Sequence, residues 1–165
     1  MPPFHNFTSK AKEAIKKAHE LAIERGQNHV NPIHLLGALL LQEESAVVSI
    51  LDKLDVDTIM LTDYLLDTME SPEGSTVSSP SYQIYLTPEL VRIFDAAAKI
   101  ANSLSDEFVS TEHLLLALLD IPSTARDVLN RFKVSKEGVG QVVEELKTGK
   151  LDDMGQVKKF KAIEK

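Results

Sequence analysis

Residues Thr8 to Leu40 read TSKAKEAIKKAHELAIERGQNHVNPIHLLGALL, and residues Thr87 to Leu119 read TPELVRIFDAAAKIANSLSDEFVSTEHLLLALL. The second stretch lies 79 positions after the first with no gap. Ten of the 33 paired positions are identical, including Ala18/Ala97, Ala22/Ala101, Val30/Val109 and His34/His113. Average residue usage gives about two such matches by chance. A duplicated unit is its own control: what both copies keep belongs to the fold, and where they differ is where function can sit. Short repeats that stack into solenoids have periods of about 20–50 residues and need at least about three copies. Two copies at a longer period predict instead a closed pair, each half covering the apolar face of the other.

Each copy parses as four helices. Thr8 is placed to cap a helix running to about Arg25, with Ala11, Ile15, Ala18 and Ala22 along one face, and Gly26 stops it. Asn31-Pro32 is a cap followed by proline at the first helical position, opening NPIHLLGALLL. A third helix is expected over Ser45 to Leu54 with Val48, Leu51 and Leu54 inward. Asp57 then caps a fourth that carries Ile59, Leu61, Tyr64 and Leu65. In the second copy Thr87-Pro88 again pairs cap with proline. Leu90, Phe94, Ala97 and Ala101 answer the first copy's apolar face, and Ser110 takes the place of Asn31. After the second helix the spacing shortens by one residue, so that Ser135 answers Asp57. A one-residue deletion is tolerated in a loop. The expected fold is therefore all-α: a pseudo-twofold duplicated four-helix repeat, about eight helices in one compact bundle.

Copy one is assigned to about residues 4–69, a turn-rich linker to 70–86 and copy two to about 87–149. Within the linker, YQIYL has strand character but is too short to found a sheet. From 150 to 165 the amphipathic pattern is lost and the chain reads as a tail.

Composition narrows the function classes. The chain has 165 residues, enough to bury a core without covalent staples, and no cysteine, so neither disulfides nor thiolate metal sites are available. A net charge of −7 argues against a nucleic-acid partner, which calls for a basic stripe, and against an anionic membrane surface. Without an apolar leader or an 18-residue apolar run, a cytoplasmic location is expected.

No catalytic constellation stands out. Thr148-Gly149-Lys150-Leu151 is the nearest string to a phosphate-binding loop, and it lacks the upstream glycine, the following hydroxyl and the preceding strand. His34 and His113 are the repeat-matched histidines. They read either as a paired metal or proton site on the pseudo-twofold axis, or as first-turn residues that order the loop before their helix; duplication favours the second. Ser110 with His113 resembles a nucleophile and base, but a serine opening a helix is ordinarily a cap. The chain is read as a non-enzyme.

The copies differ informatively. Lys12, Lys17, Arg25 and Gly37 become Val91, Ala96, Leu104 and Leu116. The first helix of copy two is thus apolar nearly all round, which means either burial on every side or an exposed apolar patch. The interaction reading makes Val91, Ile93, Phe94, Ala96 and Ile100 an apolar groove for peptide segments, with Thr8, Asp106 and Glu112 as a polar rim.

Paired modules carrying STEHLLLALL in one copy and NPIHLLGALL in the other resemble the double Clp N-terminal domain that heads the large AAA+ unfoldases and disaggregases. The resemblance covers about residues 4–149. NPIHLLGALLLQEESAVVSILDKLDV and DEFVSTEHLLLALLD look closest to the ClpB-type disaggregase branch, and KKFKAIEK resembles the segment leading into its first ATPase module. The resemblance implies a domain that captures unfolded or aggregated polypeptide, or that docks adaptor proteins, for an ATPase. ATP and magnesium would belong only to the ATPase modules, with no cofactor in this chain; the isolated domain would be a monomer and its parent a hexamer. A free-standing regulator of a Clp protease is the third reading. In the ClpC-type branch both copies carry Thr-Glu-His, whose glutamates read phosphoarginine. Copy one here has Pro32-Ile33-His34, which disfavours a twofold reader of that mark.

Overall fold

The computed structural model describes residue 4, residues 6–69 and residues 84–148. Residues 70–83 of the linker assigned to 70–86, the tail 150–165 and most of Thr148–Leu151 lie outside the described residues. Copy one contributes α1 (Ser9–Glu24), β1 (His29–Val30), α2 (Pro32–Leu41), α3 (Ala46–Lys53) and α4 (Thr58–Met69). Copy two contributes β2 (Tyr85–Leu86), α5 (Pro88–Ser103), α6 (Thr111–Asp120), α7 (Thr124–Arg131) and α8 (Lys136–Lys147).

Side-chain caps start the helices where the sequence places them. Thr8 Oγ1 accepts the Ala11 amide at 3.1 Å and Thr87 Oγ1 that of Leu90 at 3.2 Å. Asp57 accepts from Met60 at 3.0 Å and its counterpart Ser135 from Gly138 at 2.9 Å. Such caps satisfy amides that a helix leaves unpaired at its first turn. Gly26, with φ of 70°, and its counterpart Ser105, with φ of 60°, follow the ends of α1 and α5 in the left-handed conformation.

The centre of the molecule is α2 and α6. Pro32 through Leu40 are all buried on α2, as are Thr111 and His113 through Leu119 on α6. A helix apolar all round must be covered all round, and α1, α3, α4, α5 and α7 pack on α2 while α1, α3, α5, α7 and α8 pack on α6. The first helices lie outside them, and the two matching apolar faces predicted for α1 and α5 are buried at every named position. Two inward assignments shift. On α3 the buried residues are Val47, Ile50 and Leu51, with Val48 and Leu54 only partly covered. On α4 they are Leu61, Leu65 and Met69, whereas Ile59 and Tyr64 point outward and are exposed.

A reciprocal clasp closes the pair. Tyr85–Leu86, the end of YQIYL, does pair, running parallel to His29–Val30 with Val30 opposite Leu86. Its pseudo-twofold counterpart is a bridge between Phe7 and Val109. The Thr87 amide donates to Val30 O at 3.0 Å and the Thr8 amide to Val109 O at 2.8 Å. Each copy's first helix is therefore entered from the loop of the other copy. A two-residue ladder is stable here because the residues around it are already held by the bundle. Among the described residues no single helix is long and apolar enough to cross a membrane.

Candidate functional site

A hollow of about 510 Å³ lies between the exposed side of α5 and the end of α6. Ala96, Ile100 and Ile121 form its apolar lining, and Arg92, Lys99, Asp95 and Asp120 supply charge around them. All are held on rigid elements: α5 is packed along α6 by Leu90, Phe94, Ala97 and Ala101, and Ile121 is the C-cap of α6, its amide bonded to Ala117 O at 3.0 Å. Asp120 is tied to Lys136 at 2.8 Å.

A matching hollow exists in copy one, between α1 and α2, but it is smaller and less apolar. It measures about 250 Å³ and is lined by Lys10, Glu13, Lys17, Ala38, Leu41, Gln42 and Glu43. Gln42, the counterpart of Ile121, spans it: its amide nitrogen donates to Lys10 O at 2.9 Å and to Glu13 at 3.0 Å. Lys17 stands where copy two has Ala96. Two changes, lysine to alanine and glutamine to isoleucine, remove the bridge and enlarge the apolar lining, while a third, Leu41 to Asp120, adds a charge at the edge. Sequence comparison found the first change and missed Ile121, which lies two positions past the block of strong identity.

The structure corrects the predicted groove at two positions. Ile93 and Phe94 are 0% and 2% exposed, so they are core and not groove. The reason is nonlocal: Phe94 is covered edge-on by Phe4 and Phe7, with centroids 5.2 and 6.3 Å away, from the segment before α1. Ala96 and Ile100 are half-buried and line the hollow, while Val91 is half-buried but does not line it.

The rim residues also part company. Thr8 is occupied as the α1 cap. Asp106 and Glu112 line a separate hollow of about 140 Å³ with Ala46, Ile50, Val143, Leu146 and Lys147. Asp106 is engaged through both oxygens: His113 Nε2 donates to Oδ2 at 2.8 Å and Lys147 Nζ to Oδ1 at 2.6 Å. Lys147 also donates to Leu104 O, which fastens the end of α8 to the loop after α5. Burial pushes the Asp106 carboxyl up, but the hydrogen bonds and charges of Lys147 and His113 outweigh it and hold the group below the ordinary carboxylate range.

Both matched histidines serve their own helix. The Asn31 amide donates to His34 Nδ1 at 3.0 Å, and the Ser110 amide to His113 Nδ1 at 2.8 Å. This is the reach-back half of a capping box, performed by an imidazole in place of the usual glutamate. Because Nδ1 accepts, each neutral ring carries its proton on Nε2. The Ser110 hydroxyl donates to Glu112 at 2.7 Å, so Ser110 and His113 are not paired as nucleophile and base. The copies differ at the far nitrogen. His113 Nε2 has Asp106, whereas His34 Nε2 is buried with no partner, Gln27 standing at Asp106's position. Burial, with the charge of Arg25 second, lowers the His34 pKa from 6.5 to about 4.

The arrangement offers surface recognition: a shallow apolar hollow ringed by charges of both signs. A ClpB chaperone of Propionibacterium freudenreichii is 34% identical over 125 residues, which is 74% of this chain and 14% of the relative. The chain thus spans about one seventh of that relative's length. Among solved structures, the N-terminal domain of Hsp104 from Candida albicans superposes with a TM-score of 0.76 at 20% identity, covering 87% of this chain and 92% of the other. The N-domain of ClpV, solved in complex with a VipB peptide, gives a TM-score of 0.67 at 18% identity, covering 92% and 88%. The family model for the Clp repeat N-terminal domain matches residues 6–146. With the doubled four-helix unit, its clasp and this match in agreement, the chain belongs to the Clp repeat N-terminal domain family.

Proposed function

We propose that this domain captures extended, apolar-bearing segments of unfolded or aggregated polypeptides in the α5–α6 hollow, on behalf of an ATP-dependent disaggregase. The observation that carries the reading is the contrast between twins: Ala96 and Ile121 leave wide and apolar in copy two what Lys17 and Gln42 narrow and bridge in copy one. An apolar floor a few residues long recognises many sequences, and flanking Arg92, Lys99, Asp95 and Asp120 add orientation without demanding one motif. Burying roughly 200 Å² of apolar surface yields about 5 kcal/mol before the entropy of association is subtracted, so the net affinity is weak. Weak, exchangeable contact suits a domain that hands its client onward. ATP hydrolysis, hexamer formation and a cytoplasmic setting belong to this proposal and would reside in modules beyond the domain.

The test is a titration of a permanently unfolded client into isotope-labelled protein, read at the amides of Ala96, Ile100 and Ile121. Ala96→Lys writes copy one's residue into copy two at a half-buried position on the hollow's lining and should weaken binding about tenfold while leaving the domain folded, as circular dichroism checks. Unchanged client affinity in that variant removes the hollow from consideration. A second reading, docking of one defined adaptor, is favoured by the ClpV N-domain having been solved with a peptide of one named protein. It predicts a single stoichiometric partner; saturation by several unrelated unfolded chains argues for the client reading.

A further inference from the structure

Helix α4 carries an outward stripe that its twin lacks. Ile59 is 76% exposed, Met60 58% and Tyr64 37%. Asp63 and Asp67 share the stripe, at the i, i+4 spacing that places like charges side by side. Neither carboxylate has a hydrogen bond or ion pair among the described residues, and Asp67 sits in the last turn, where the helix dipole disfavours an anion. With the one-residue shift between copies, Ile59 and Met60 correspond to Glu137 and Gly138 on α8. The fold therefore does not require two large apolar groups there. Arg131 lies over the Tyr64 ring at 5.1 Å and Phe132 packs beside it, closing the flank towards α7. What remains is a strip on one helix face in which Ile59 and Met60 are exposed and Asp63 and Asp67 have no partner among the described residues, at odds with local rules.

A covering segment must bring apolar groups and positive charge. The chain contains one beyond the described residues: Val157–Lys165, VKKFKAIEK, has four lysines against one glutamate, with Val157, Phe160 and Ile163 spaced every third residue. In a chain of net charge −7 such a basic run is conspicuous. The connection is long enough. Thr148 ends the description of α8, and the eight residues 149–156 can reach about 28 Å. Since α3 packs against both α4 and α8, those two helices lie within about two interhelical spacings, or roughly 20 Å.

We propose that the α4 stripe formed by Ile59, Met60, Asp63, Tyr64 and Asp67 is the docking site for this chain's own basic segment Val157–Lys165. Phe160 and Ile163 cover the apolar residues while the lysines meet Asp63 and Asp67. The contact is intramolecular and salt-sensitive, and it shares no residue with the α5–α6 hollow, so it stands or falls separately from client capture.

The absence of cysteine makes the experiment direct. The 165-residue chain is isotope-labelled and given a nitroxide at Ala162→Cys, the only thiol in it. At low salt the amides of residues 59–67 should lose about half or more of their intensity, and raising salt to about 0.5 M should restore most of it. Two variants should do the same at low salt: Lys158→Glu/Lys159→Glu/Lys161→Glu, which leaves the folded domain untouched, and Ile59→Lys/Met60→Lys on the exposed face. Three results overturn the proposal: no broadening, broadening centred on another surface, or broadening only when label and isotope are on different molecules, which would assign the segment to a second copy.

Discussion

The buried histidine of copy one makes stability depend on pH. His34 has a pKa of about 4 in the fold and 6.5 when unperturbed. Above about pH 6.5 both the folded and unfolded forms are neutral there, and the residue contributes no pH dependence. As pH falls the unfolded chain takes up a proton first, so folding is progressively disfavoured until the native ring also titrates near pH 4. The full difference of about 2.5 pKa units is worth roughly 3.4 kcal/mol, and about 2.5 kcal/mol of it is lost by pH 4.5. Structure supplies the cause. A second proton must go onto Nδ1, which is the acceptor for the Asn31 amide, so charging the ring also breaks the reach-back bond that starts α2. His34→Gln keeps an acceptor at that position, as glutamine does in a capping box. Urea unfolding followed by far-ultraviolet circular dichroism should show that, between about pH 7.5 and pH 4.5, the native protein loses about 2.5 kcal/mol more than this variant. Parallel losses in the two proteins, or a His34 ring resonance that titrates near pH 6.5, would refute the reasoning.

The twin copies supply two further tests. Gln27→Asp installs beside His34 the carboxylate that Asp106 provides to His113; it should raise the His34 pKa above 4 and improve stability near pH 5, both measurable by ring-proton titration and urea unfolding. Gly37→Leu writes copy two's Leu116 into copy one, where a Cβ already meets Met69 Cε and approaches Leu21 and Leu65; overpacking should cost about 1–3 kcal/mol in the same denaturation assay.

Much of the fold was legible because its signals are local. Thr8, Asn31, Ser45, Asp57, Thr87 and Ser135 each cap a helix within three residues of themselves. The matched faces of α1 and α5 repeat at helical spacing, and the 79-residue offset announced the pairing. The candidate site was legible only in part. Lys17/Ala96 pointed to the hollow, yet nothing near Ile93 distinguished a covered face from an open one, since α5 is apolar on several sides, and Phe94 stood both on the face that answers Ile15 and in the expected groove. Ile59 and Tyr64 failed in the opposite sense: their apolar character reads as core, and only packing placed them outside.

The amino-acid order by itself determined the helix starts and stops, the duplication and the matched buried faces of α1 and α5, because hydrogen-bond capping and side-chain periodicity act over three to four residues. Tertiary contact alone decided which side of α5 is sealed, which acids are already bonded, and which hollow stays open. Those outcomes depend on Phe4 and Phe7 reaching Phe94, on Lys147 reaching Asp106, and on Gln42 bridging copy one while Ile121 leaves copy two unbridged. Contacts between such distant residues leave no trace in local pattern, for the chain meets them only after both copies have closed on each other.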